Sequence, residues 1–197
     1  DQHACCNGVC AATAPTYVSQ GVVYRLNECL TCPSIVQQVA YANDLSNLNV
    51  RTTLSLLTDQ EWDEPRTLVA PNSEGWLELS TSELARLFAP DWELHRQDVV
   101  DSFWIAGAYT AQDWLRLWYE NGSDTVKIAT LNPEAPLIIR YDRVLEQLRV
   151  HDESMYIINI RGHDGLLHLT NHSVTNIPSV RQTLYLRALE SEHLVTH

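Results

Sequence analysis

The sequence predicts a mixed α/β fold of the α+β kind, and three stretches carry that prediction. Gly21 to Leu57 (GVVYRLNECLTCPSIVQQVAYANDLSNLNVRTTLSLL) reads as strand, C-x-x-C, helix, strand. Pro65 to Ala89 reads as strand, turn, strand and a helix opened by a capping box. Thr110 to Thr170 sets an amphipathic helix before a series of β-branched and aromatic runs bounded by turn residues. The expected organisation is a cysteine-rich arm at 1–20, a region at 21–90 built on the first two stretches, and an α+β region of unassigned role at 91–197.

Taken in order, Asp1 to Pro15 is small and polar apart from its cysteines, and is ordered only if they tie it down. Val22 to Leu26 is a β-branched and aromatic run behind Gly21, broken by Asn27 and Glu28. Pro33 suits the first turn of a helix that begins at or within Cys29-x-x-Cys32, and Ile35, Val36, Val39 and Ala40 supply its apolar stripe. Val50 to Leu57 returns to alternation, with Arg51, Thr53 and Ser55 interleaved, and is expected to be a strand. Thr58 to Glu64 is acidic and turn-like. Pro65 then opens the strand Arg66 to Ala70, Pro71 to Gly75 is a turn, and Trp76 to Leu79 is expected as the return strand. Ser80 with Glu83 forms the capping box, Leu84, Leu87 and Phe88 make the stripe, and Pro90 ends the helix.

Gln97 to Ala108 carries Val99, Val100, Phe103 and Trp104. Thr110 to Glu120 is an amphipathic helix on Trp114, Leu115, Leu117 and Trp118, stopped by Asn121-Gly122-Ser123-Asp124. Strands are expected at 125–130, 137–141 and 155–160, with a short helix at 144–150 between the last two. Arg161 to Gly165 is a turn, so Met155 to Thr170 reads as a β-hairpin, and Ile177 to His197 fits either helix or strand.

Composition removes several function classes. A formal charge of −12 with one lysine, Lys127, argues against nucleic acid as a partner, because phosphate-tracking surfaces need clustered Lys and Arg. No apolar run approaches the roughly 20 residues of a membrane helix, so membrane insertion is not expected and the chain reads as an acidic, soluble protein. The first residue, Asp1, suggests a processed or secreted precursor. Asn121-Gly-Ser and Asn171-His-Ser are N-glycosylation sequons, which matter in a eukaryotic secretory route.

All five cysteines, Cys5, Cys6, Cys10, Cys29 and Cys32, fall in the first 32 residues, which points to one local site, and their odd number leaves at least one thiol unpaired within the monomer. Three chemistries fit. A helix N-terminus favours thiolate, so Cys29 would attack a disulfide and Cys32 resolve it, acting on a protein or a small-thiol substrate without a cofactor. Cys6-x3-Cys10 and Cys29-x2-Cys32, with Thr16 to Leu26 as a hairpin around Gln20-Gly21, also match a treble-clef zinc site, in which His3 or Cys5 can replace a ligand. Zn2+ would then support a non-enzymatic structural or interaction protein within a protein assembly. The third possibility is structural disulfides plus a leftover thiol.

The order strand, C-x-x-C, helix, strand, proline, hairpin and capped helix over residues 21–89 resembles the thioredoxin-like fold of thioredoxins, glutaredoxins and the N-terminal domain of glutathione transferases. EPRTLVAPNSEGWLELSTSELARLFA is similar to the proline, hairpin and serine-capped helix of the last two, although Leu30 and Thr31 stand between the cysteines where the family usually carries Gly, Pro, Tyr or His. The resemblance implies a redox-active centre of Cys29 and Cys32, with Pro65 opposite as a block to metal capture. Arg25, Ser80-Thr81-Ser82 and Glu190-x-Glu192 occur in an order that resembles bacterial mono-ADP-ribosyltransferase toxins, which implies NAD binding, although Ser80 is already read as a helix cap. His151, His163, His168 and His172, with Asp152 and Asp164 near them, are expected to be scattered surface residues, because alternation puts His163 and His168 on opposite faces. Trp104, Trp114 and Trp118 are expected in packing between helices. The leading expectation is thiol–disulfide exchange.

Overall fold

The computed structural model describes residues 5–6, 9–10, 16–18, 21–23, 33–45, 50–58 and 62–181. The chain divides into two compact units, Asp1–Pro33 and Ser34–His197. In the first, β1 (Cys5–Cys6) pairs antiparallel with β2 (Val9–Cys10), setting Cys5 opposite Cys10 and Cys6 opposite Val9. β3 (Thr16–Val18) pairs antiparallel with β4 (Gly21–Val23), which is the expected hairpin with its second strand beginning at the glycine.

The second unit opens with α1 (Ile35–Leu45). Its start is held by a reciprocal pair: Gln37 N–H donates to Ser34 Oγ at 3.2 Å, and Ser34 N–H donates to Gln37 Oε1 at 3.0 Å. Ile35 N–H donates to Asp164 Oδ1 at 2.7 Å, so a carboxylate already sits against the positive end of this helix. Ile35 and Val39 of the predicted stripe are fully buried.

Residues 50–57 overturn the strand reading. They form α2 (Arg51–Leu56), because Val50, Thr53, Leu54 and Leu57 also recur at i, i+3, i+4 and i+7. Tertiary partners decide between the two periods. Thr53 Oγ1 donates to the Pro71 carbonyl at 2.5 Å and accepts from Trp76 Nε1–H at 3.0 Å, and Val50, Thr53 and Leu56 are buried.

β5 (Arg66–Pro71) follows Pro65 as expected. The return strand at 76–79 does not form. Asn72 Oδ1 accepts from Glu74 N–H at 2.9 Å and opens a 3-10 turn over Ser73–Trp76, whose Trp76 is buried edge-on to Phe103 at 6.1 Å. α3 (Thr81–Leu87) carries both bonds of the Ser80/Glu83 capping box. α4 (Glu93–Asp101), β6 (Trp104–Ala106) and α5 (Ala111–Asn121) come next. The last is opened by a Thr110/Asp113 capping box and closed by Gly122 at φ +64°. β7 (Thr125–Ile128), β8 (Leu137–Asp142), β9 (Gln147–Val150), β10 (Glu153–Gly162) and β11 (Gly165–Thr170) complete the unit. The helix expected at 144–150 is a turn and then β9. Asp142 Oδ1 accepts from the N–H of Val144 and of Leu145, both at 3.0 Å, and Glu146 adopts φ +53°, which turns the chain before a helix can nucleate.

The strands form one sheet in the order β6-β5-β11-β10-β9-β8-β7. β5 pairs in parallel with β11, Arg66 opposite Gly165 through Pro71 opposite Thr170, while the other neighbours are antiparallel. A thioredoxin-like order over 21–89 is therefore absent: the segment expected as its second strand is a helix, and β5 takes its parallel partner from the far end of the unit. β5 and β11 are covered on both faces, as parallel central strands usually are. Leu68, Ala70, Leu167 and Leu169 enter one core with Ile35, Val39, Leu87, Val99 and Phe103. Val69 enters the other with Trp114, Leu137, Ile139 and Val150. β10 changes neighbours along its length, pairing with β9 at Glu153 and Ser154 and with β11 from Met155 to Gly162 through two register shifts.

Candidate functional site

The residues singled out from the sequence for redox chemistry fall largely outside the described part of the chain. Cys29 and Cys32 lie outside the described residues, as do Arg25, Glu190 and Glu192. Cys6 and Cys10 belong to β1 and β2 and are not register partners. The helix expected to start within the C-x-x-C starts at Ile35, and its N-terminal donors serve Asp164 and Ser34 in place of a thiolate. Pro65 is exposed, and its carbonyl accepts from Gly107 N–H at 3.0 Å, where β5 meets β6. Ser80 is a helix cap, as read.

The histidines also depart from expectation. His163 is exposed, but His168 is fully buried and His172 is 3% exposed. The His168 ring lies 4.6 Å from Trp114, its Nε2 is 2.9 Å from the Tyr109 carbonyl, and its Nδ1 is 3.3 Å from Asn159 N–H. A carbonyl only accepts and an amide N–H only donates, so the pair of partners requires the neutral Nε2–H tautomer. Burial lowers its pKa, partly opposed by the Tyr109 carbonyl. His172 bonds Thr170 Oγ1 and faces His151 at 5.6 Å beside a cavity of about 20 Å³. Burial first, and the His151 ring second, push the His172 pKa down to about 3. These are satisfied core groups. Among the described residues no set of three or more His, Cys, Asp or Glu converges on a point that suits a metal ion, so the zinc reading finds no support there.

The distinctive surface lies on α5, the β8–β9 hairpin and β10. Trp118, Tyr119 and Tyr141 form a triangle with ring centroids 5.0, 5.4 and 6.4 Å apart. Arg143 stacks over Trp118 at 5.1 Å and has no ion pair with any described residue. Arg140, by contrast, pairs with Asp152 at 2.6 Å, and Arg149 with Asp142 at 3.1 Å. A hollow of about 310 Å³ is lined by Tyr141 with Trp118, Asp124, Arg140 and Arg143. A second, of about 260 Å³, also touches Tyr141 and mixes the apolar Leu115, Leu148, Met155 and Ile158 with the polar Gln112, Glu146 and Gln147. Next to them the hairpin tip holds Val144 90% exposed and Leu145 53% exposed, with Tyr119 at 63% and Ile158 at 47%. The tip is rigid. Asp142 accepts two backbone N–H bonds inside it and pairs with Arg149, and the Leu145 N–H is the first cause that holds its carboxyl below the usual carboxylate range. Alternation in QLRV and the Asp142 turn were legible signals for this hairpin, but the exposure of its apolar residues was not.

One solved structure of this shape is a FAS1 domain pair from the insect cell adhesion molecule fasciclin I, at a TM-score of 0.55 and 16% identity. The match covers 86% of this chain and 61% of that one, so the chain spans less than two thirds of its length. The fold is FAS1-like. Neither the family models nor the curated proteins compared with the sequence give a match. The FAS1-like fold replaces the thioredoxin-like one, and with it goes thiol–disulfide exchange, since the scaffold that would have activated Cys29 is a different one. The described FAS1-like residues contain no helix long and apolar enough to cross a membrane.

Proposed function

We propose that the chain is an adhesion-type module that binds a protein partner, without catalysis, through the β8–β9 tip and the aromatic ledge beside it. The observation that carries this reading is the tip itself: a locked turn that holds Val144 and Leu145 in water. Burying Val144, nearly all of it exposed, is worth roughly 1.5–3 kcal/mol, and Leu145, already half-buried, about half of that. A turn already closed by its own bonds has less entropy to lose on docking than an open loop. The partner offers an apolar recess for the tip and a carboxylate for Arg143, whose charge is otherwise met only by the Trp118 ring among the described residues. The FAS1-like fold supports the reading because its solved neighbour is described as a cell adhesion molecule.

The test uses beads coated with the purified chain on cell monolayers. Val144→Asp with Leu145→Asp is expected to weaken adhesion at least about 30-fold, which is the loss of roughly 2 kcal/mol that marks an interface anchor. Leu94→Asp on α4, 82% exposed, serves as the matched control and leaves adhesion unchanged. Protease treatment of the cells removes binding if the partner is a protein. Equal adhesion by the tip variant and the control would reject the assignment.

A further inference from the structure

The two sequons stand in opposite settings. Asn121 is the last residue of α5, and positions 119–124 are all exposed. Gly122, in the middle of the sequon, sits at φ +64° with open space where a side chain would project. The Asn121 amide donates to Ser123 Oγ and to the Thr125 carbonyl, so the amide and hydroxyl that a glycosyl transferase reads together are already side by side on a surface reversal. Asn171 lies between Thr170 and His172, both buried, and its own Oδ1 is buried. Its amide donates to Glu74 Oε2 at 3.3 Å, and Ser173 Oγ is occupied with Thr175. That tripeptide cannot lift out without exposing His172 and uncoupling the Thr170–His172 bond.

We propose that Asn121 is the acceptor of an N-linked oligosaccharide, and that Asn171 carries none in the folded chain. In the transfer, Nδ2 of Asn121 attacks the anomeric carbon of an oligosaccharide carried on a polyprenyl pyrophosphate. The N–C bond forms, the anomeric C–O bond breaks, the lipid pyrophosphate leaves with the electron pair, and the amide proton passes to a base on the transferase. No electron transfer is involved. The Trp118 indole donates to the Asp124 carbonyl, which ties the sequon's reversal back to α5.

The full chain is secreted from a eukaryotic host, and its peptides are mapped before and after amidase release of N-glycans. The expected result is one releasable mass increment, with Asn121 converted to aspartate and Asn171 unmodified. Asn121→Gln and Ser123→Ala each remove the increment, and Asn171→Gln leaves it in place. Because the wild-type map decides by itself, poor secretion of a variant does not blur the outcome. An unmodified Asn121 in secreted wild-type protein, or sugar on Asn171, overturns the proposal.

Discussion

His168 shows how one residue is tuned by partners distant in the chain. The Tyr109 carbonyl takes its Nε2–H, the Asn159 N–H gives to its Nδ1, and Trp114 covers its ring. The same Asn159, at φ +60° in the bulge of β10, accepts from Ala111 N–H at the start of α5, so the side chain links strand and helix. His168→Leu keeps the apolar volume but strands a carbonyl and an N–H, each worth about 1–3 kcal/mol when left unmet. Chemical denaturation is expected to show a loss of about 2–4 kcal/mol, whereas an unchanged midpoint would mean that water replaces both bonds. A spacing rule could not find this site. Alternation separated His163 from His168, but it does not say which face is dry.

Elements meet where a side chain would not fit. Gly165 begins β11 at φ +148°, and a Cβ there would stand 1.8 Å from the Arg66 carbonyl oxygen and 2.7 Å from its nitrogen. Only glycine lets β11 lie in register on β5 at that point. Gly165→Ala is expected to cost about 3 kcal/mol or more, read as a lower urea midpoint, or to prevent folding. A midpoint within experimental error of wild type would show that the β5–β11 pairing contributes little. The β10–β11 turn was readable from Arg161-Gly162-His163-Asp164-Gly165, because turn chemistry is local. What Asp164 does next, capping α1 from across the unit, was not.

At the scale of the molecule, three buried or half-buried histidines couple stability to pH. The pKa values of His151, His168 and His172 are all lowered, in each case mainly by burial. The unfolded chain takes up protons near pH 6.5 while the folded chain refuses them until lower pH. Their stabilisation is therefore complete above about pH 6.5 and is lost as pH falls toward the folded values, about 3 for His172. Each histidine contributes a slope of up to about 1.4 kcal/mol per pH unit in that window. Urea unfolding at stepped pH is expected to show a decline that begins near 6.5, well above the range where the lowered carboxyls Asp113 and Asp142 titrate. His172→Asn should flatten that decline, and a wild-type curve level down to pH 5 would contradict the account.

The amino-acid sequence by itself determined the elements whose signals are local: the stripe of α1, the Ser80 capping box, the stop of α5 at Asn121–Gly122, and the turn between β10 and β11. Tertiary structure decided everything whose partners are remote. It made 50–57 a helix through Pro71 and Trp76, turned 73–76 into a 3-10 turn, gave β5 a parallel neighbour from the end of the unit, and left Val144 and Leu145 in water. The physical reason is that a short apolar run satisfies the periods of both helix and strand, so the buried bonds it makes elsewhere select between them.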